Sequence, residues 1–133
     1  MKISIKTQYG LRAIAYVAGS SKDHPCSVKE ISVCEAMPFD FLEKILSKLE
    51  KTGFVYAKKG AGGGYFLARP AKNIRLGEIV SALEGNTVIV KCAGAKGSDR
   101  CPNSRRCKTK NFWKKVQHSI ENALNSATLA DLL

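Results

Sequence analysis

Residues 27–51 read SVKEISVCEAMPFDFLEKILSKLEK, and their periodicity decides the fold. Ser27 followed three residues later by Glu30 is a capping-box pattern: the hydroxyl accepts from the third helical N–H while the carboxylate reaches back. A short helix is expected over about 27–35, with Val28 and Ile31 facing inward. Ala36-Met37-Pro38 then reads as a turn, and Pro38 suits the start of a second helix. In that helix Leu42, Ile45, Leu46 and Leu49 fall at i, i+3, i+4, i+7, so one face is apolar. Asp40, Glu43, Lys44, Ser47 and Lys48 occupy much of the remaining surface, and Gly53 sits where a C-terminal cap belongs. A short helix, a tight turn and a second amphipathic helix make a helix-turn-helix pattern.

Upstream, Leu11, Ile14, Ala15 and Ala18 keep the same helical rhythm until Gly19-Ser20-Ser21 breaks it. Downstream the period changes. Residues 54–59 and 65–69 read as two short strands joined by Gly60, Gly62, Gly63 and Gly64, which permit a tight turn and close backbone approach. A β-hairpin directly after a helix-turn-helix is a wing, and Lys58 and Lys59 at its tip can meet phosphate or a minor groove. Leu76, Ile79, Val80 and Leu83 mark a fourth helix ending at Gly85. A last helix is expected over about 111–127, with Phe112, Val116, Ile120, Ala123 and Ala127 as an apolar stripe widened by Trp113 and Leu124. That stripe approaches coiled-coil spacing; a second copy of the chain is the usual cover for it, and packing onto the first helix is a compatible alternative.

The fold class expected is therefore mainly α with a small β-hairpin. Residues 1–85 form a winged helix-turn-helix domain, 86–110 a cysteine-bearing loop, and 111–133 a dimerisation helix with a C-terminal tail.

That loop contains KCAGAKGSDRCPNSRRC at 91–107, which places three of the five cysteines at C-x8-C-x5-C. Gly94, Gly97 and Pro102 argue against a packed element. Cys92, Cys101 and Cys107 are candidate metal ligands, because a basic surrounding favours the thiolate that binds metal. Cys26 and Cys34 belong to no such pattern and read as small hydrophobes or bystanders.

Charge supports a polyanion partner. The formal net charge of the 133 residues is +11, and residues 91–115 hold nine basic side chains against one acidic. Such a balance fits double-stranded DNA. The Lys/Arg run at 100–115 reads mainly as a field that stabilises thiolates and an anionic metal centre. No apolar run approaches the ~18 residues of a membrane span. The N-terminus lacks the pattern of a secretory signal, so a cytoplasmic protein with reduced thiols is expected. An enzyme is not expected: no strand–helix alternation, phosphate-loop fingerprint or paired-carboxylate site is present.

Taken together these stretches resemble the bacterial winged-helix regulators typified by the iron–sulfur cluster regulator IscR and the nitric-oxide-sensing repressor NsrR. The resemblance rests on TQYG at 7–10, FLEKILSKL at 41–49, GAGGGYFL at 60–67, GEIVSALEG at 77–85, Phe112-Trp113 and TLADL at 128–132. It implies a homodimer, in the commoner mode a repressor, bound to a pseudo-palindromic operator. It implies an iron–sulfur cluster, 2Fe–2S or 4Fe–4S, on Cys92, Cys101 and Cys107, serving iron, redox or nitric-oxide sensing. It also implies DNA contacts from Asp40, Phe41, Glu43 and Lys44 in the helix and Lys59 in the wing.

The interval between the first two cysteines is longer than in IscR, and the Gly-rich loop accommodates it. Where relatives supply a fourth ligand this chain has Lys110, Gln8 or Arg12, so the resemblance names no fourth ligand; Asp99 and His118 are open alternatives that no motif supports. The alternative implied by the resemblance is a cluster-free regulator controlled by a protein partner such as a cysteine-synthesis enzyme.

Overall fold

Ser4 opens the first helix by accepting a hydrogen bond from the Thr7 N–H at 3.2 Å, and Ser27 opens the second by accepting from Glu30 N–H at 3.1 Å. In the computed structural model, which describes residues 2–94 and 101–133, these caps begin α1 (Ile5–Val17) and α2 (Val28–Glu35). Only the Ser27 half of the expected capping box forms; among the described residues Glu30 makes no return bond to the Ser27 N–H. The remaining elements are α3 (Phe39–Lys51), β1 (Val55–Lys58), β2 (Gly64–Leu67), α4 (Leu76–Glu84) and α5 (Lys110–Asn125). Short 3-10 turns lie at Ala71–Asn73, Lys91–Ala93 and Leu129–Leu132. The expected class, mainly α with one small hairpin, is the observed one.

The α2–α3 turn is made by Ala36, which sits at φ 52°, the left-handed region. Ser32 Oγ closes the turn by donating to the Met37 carbonyl. This geometry lets α3 cross α2 and lay its apolar face on the domain. Leu42, Ile45, Leu46 and Leu49 are all buried there, together with Ile14 and Val17 of α1, Ile31 of α2 and Leu83 of α4. Each such Leu or Ile contributes about 1.5–3 kcal/mol through removal from water.

Two glycines set the helix spacing. A Cβ at Gly10 of α1 would lie 2.2 Å from Leu83 Cδ1, and one at Gly77 of α4 would lie 2.1 Å from Asn125 Oδ1. The buried face of α1 is accordingly Thr7, Gly10, Ala13, Ile14 and Val17; Leu11 and Ala15 are half-buried beside it.

The hairpin pairs antiparallel, with Val55 opposite Leu67, Tyr56 opposite Phe66, Ala57 opposite Tyr65 and Lys58 opposite Gly64. It is shorter than the 54–59 and 65–69 expected. Tyr65 also exchanges backbone hydrogen bonds with Cys26, at 2.7 and 3.0 Å, which ties the wing to the chain entering α2. Gly64 makes this approach possible, since a Cβ there would lie 2.3 Å from the Cys26 carbonyl oxygen. The C-terminal tail folds back on the winged domain: Leu129 N–H donates to the Ile74 carbonyl at 2.8 Å, and the Leu129 side chain is fully buried.

Candidate nucleic-acid interface and cysteine loop

The solvent face of α3 is a shallow open depression lined by Asp40, Glu43, Lys44, Ser47, Lys48 and Lys51. Burial of Leu42, Ile45, Leu46 and Leu49 on the opposite side forces these six outward, because positions three and four apart share a face. Among the described residues the ion pairs are Arg12–Glu35 at 3.0 Å and Arg69–Glu78 at 3.4 Å. The three lysines of α3 are therefore not neutralised by Asp40 or Glu43, although all five lie on one surface. Phe41 differs from its neighbours. It is half-buried, with its ring edge-on to Tyr9 at 5.7 Å between centroids, so it braces α3 against α1.

Lys58 and Lys59 are exposed at the end of β1, where Lys58 Nζ leans toward the Lys22 carbonyl at 3.5 Å. Gly60 and Gly62 take positive φ of 95° and 73° in the connecting turn. At Gly63 a side chain has no room at all: its Cβ would lie 2.1 Å from the Lys58 carbonyl oxygen. The glycine tract thus fixes how the two lysines leave the sheet.

The three candidate ligands flank residues 95–100, which lie outside the described residues. Cys92 is half-buried in the 3-10 turn Lys91–Ala93, Cys101 is half-buried, and Cys107 is exposed just before α5. Among the described residues no three His, Cys, Asp or Glu side chains converge on a point that could hold a metal ion. The structure thus places the cysteines in one region of the chain without assembling them. Asp99 lies outside the described residues.

Of the other positions weighed as a fourth ligand, His118 is exposed on α5 and Lys110 begins that helix. Gln8 donates to the Ile3 carbonyl at 2.9 Å, and Arg12 is held by the Glu35 ion pair.

Thiol chemistry separates the cysteines. Cys107 is held below the usual thiol range, first by its hydrogen bond with the Thr109 hydroxyl at 3.3 Å, then by backbone N–H groups and the Lys110 charge. Burial pushes the Cys26 thiol up. Cys34 is exposed and accepts from the Tyr16 hydroxyl at 3.4 Å. The donor set at the loop, three thiols of which one is biased toward thiolate, is chemically suited to iron–sulfur ligation.

Sequence reasoning overlooked two groups. Lys51 completes the cationic edge of α3. Gln117 of α5, only 2% exposed, accepts from the Ile89 N–H at 2.9 Å and donates to the Thr87 carbonyl at 3.3 Å and to Glu121 Oε1 at 2.9 Å. A polar residue next to an apolar stripe was the available signal.

No described helix is long and apolar enough to cross a membrane. The chain is similar along its whole length to the HTH-type transcriptional regulator IscR of Yersinia pseudotuberculosis, with 32% identity over 133 residues that make up 79% of that relative. Its fold is similar to that of CymR (YrzC), the global cysteine regulator of B. subtilis, at a TM-score of 0.78 and 31% identity, covering 99% of this chain and 95% of the other. It is also similar to T. potens IscR, at a TM-score of 0.76 and 33% identity, covering 99% and 85%. The Rrf2 family, described as "Iron-dependent Transcriptional regulator", matches residues 3–133. With a winged helix-turn-helix whose outer face is cationic and a family match over nearly every residue, this chain belongs to the Rrf2 family and is a transcriptional regulator rather than an enzyme.

Proposed function

We propose that the protein is a homodimeric DNA-binding repressor of the IscR and NsrR type whose hold on its operator is modulated by an iron–sulfur cluster. The observation that carries this reading is the set of unpaired lysines on the outer face of α3, with Lys58 and Lys59 of the wing exposed nearby in the same domain. Each protomer places α3 in a major groove, where Lys44, Lys48 and Lys51 meet base edges or phosphate. The wing lysines lie against the backbone or minor groove. Glu43, like Asp40 on the same face, can accept from a cytosine amino group. It restricts sequence choice, so Glu43→Ala broadens the set of operators bound rather than abolishing binding.

The outer face of α5 supports the dimer. Phe112 is 58% exposed, and Val116, Ser119, Ile120 and Ala123 continue the open strip on one side of the helix. Within the described part of the protomer Val116 and Ile120 are half-buried, while Phe112, Ser119 and Ala123 stay exposed. A second copy of α5, related by two-fold symmetry, buries the strip and sets the operator half-sites about 10 bp or a multiple of that apart.

Cys92, Cys101 and Cys107 would hold the cluster. Such a group supplies an anionic centre whose iron can change oxidation state or exchange a ligand. Around it the chain supplies Arg105, Arg106, Lys108 and Lys110, whose field favours thiolate and offsets the negative charge of the site. Asp99 and His118 are the chain's own candidates for a fourth ligand.

Anaerobic purification with an absorbance spectrum and counts of iron and sulfide tests this part. Replacing any one of Cys92, Cys101 and Cys107 by Ala should bleach the visible absorbance, while Cys26→Ala should leave it. Full iron and sulfide content in the triple variant would contradict the assignment. The second reading, a cluster-free regulator controlled by a protein partner such as a cysteine-synthesis enzyme, is favoured by the fold similarity to CymR. It predicts a colourless wild type prepared without oxygen.

A further inference from the structure

We infer that Gln117 is the positioning residue that fastens the cysteine-bearing turn to α5, so that Cys92 and Cys107 are presented from one helix. This rests on the proposal that these cysteines act together. Cys107 reaches α5 through the chain itself, since its thiol bonds to Thr109 at the helix start. Cys92 has no such continuity with α5. It follows α4 through residues 85–91, which contain no regular element before the turn Lys91–Ala93.

The side chain of Gln117 bridges this gap. Its carbonyl oxygen accepts from the Ile89 N–H at 2.9 Å and its amide donates to the Thr87 carbonyl at 3.3 Å, three and five residues before Cys92. The second amide hydrogen goes to Glu121 Oε1 at 2.9 Å, which orients the amide. Gln117 lies two turns beyond Lys110, on the same face of the helix. It is the one side chain of α5 that is fully buried. A buried amide is stable only with its partners in place, so the clamp is specific in register as well as in distance.

Mass-spectrometric alkylation of each cysteine in the metal-free protein is the direct test, with iodoacetamide as probe. Gln117→Leu keeps the volume and removes both backbone bonds. Alkylation of Cys92 should rise on the order of tenfold, as expected when two neutral hydrogen bonds are removed, while Cys107 reacts as in the wild type.

The control Glu121→Gln keeps both backbone bonds of Gln117 and still offers its amide an acceptor, and should leave Cys92 at its wild-type rate. A helix that had merely lost packing in Gln117→Leu would raise the rates of Cys92 and Cys107 together. In protein carrying iron and sulfide, Gln117→Leu should also shorten the lifetime of the visible absorbance in air. An unchanged Cys92 rate, or a parallel rise at Cys92 and Cys107, would overturn the positioning role. A wild type without iron would count against the cluster alone, and the alkylation result would still decide Gln117.

Discussion

Thr7 and Glu84, at the start of α1 and the end of α4, are joined by a hydrogen bond in which the Thr7 hydroxyl donates to the Glu84 carboxylate. Ser4 Oγ adds a second at 2.9 Å, and its N–H a third at 3.3 Å. Glu84 stands just before the segment that leads to Cys92. The same carboxylate therefore ties the first helix of the winged domain to the base of the cysteine loop.

These bonds hold the Glu84 carboxyl below its ordinary 4.5, the Thr7 hydroxyl contributing most and Ser4 next. A lowered folded value means that the contribution to stability is complete above 4.5 and fades as pH falls through the folded value. Glu84→Gln should lose it at neutral pH and show a flatter acid limb in urea unfolding series run from neutral to acid pH. An acid limb identical to wild type would contradict the link.

Ala36 adopts the left-handed conformation of the α2–α3 turn without being glycine. That conformation costs a residue with a Cβ about 1–2 kcal/mol. Ala36→Gly should stabilise the protein by about 1 kcal/mol, less the extra freedom of glycine in the unfolded chain. Thermal unfolding should show a midpoint a few degrees higher.

The cysteines should differ in reactivity. Cys107, exposed and lowered chiefly by Thr109, should be alkylated at neutral pH at least about tenfold faster than buried Cys26. Thr109→Val should move the pH profile of Cys107 upward and leave that of Cys26 in place.

Much of this arrangement was legible in the chain. The four apolar positions of α3 are buried as their spacing requires, and the glycine tract at 60–64 forms the wing turn. Helix α1 was read less well, because its inner face is built from Thr7, Gly10 and Ala13, which are small or polar and carry little hydrophobic signal. Gly10 is inside because Leu83 leaves no room for a side chain, a long-range fact that no local pattern contains. On α5 the apolar stripe was visible, but the one buried residue is the amide of Gln117. The return of the tail to bury Leu129 against Ile74 joins positions 55 residues apart in sequence. The cysteines could be singled out by spacing, but among the described residues the fold does not bring them to one point.

The wing should act through charge. Lys59→Ala should weaken operator binding and reduce the slope of log K against log salt by about 0.9 for each phosphate that Lys59 neutralises. Gly63→Ala keeps the lysines but forces the turn open, since its Cβ meets the Lys58 carbonyl. It should weaken binding while the salt slope falls less than in Lys59→Ala. Titrations at several salt concentrations separate the two effects.

The most direct test is to measure operator affinity of cluster-loaded protein and of the same preparation stripped of iron and sulfide, at one salt concentration. Both should be dimers, and they should differ in affinity for at least one natural operator, with Cys92→Ala behaving as the stripped form under either condition. Equal affinity of both forms for every natural operator would contradict the sensing claim and leave a winged-helix DNA-binding regulator alone.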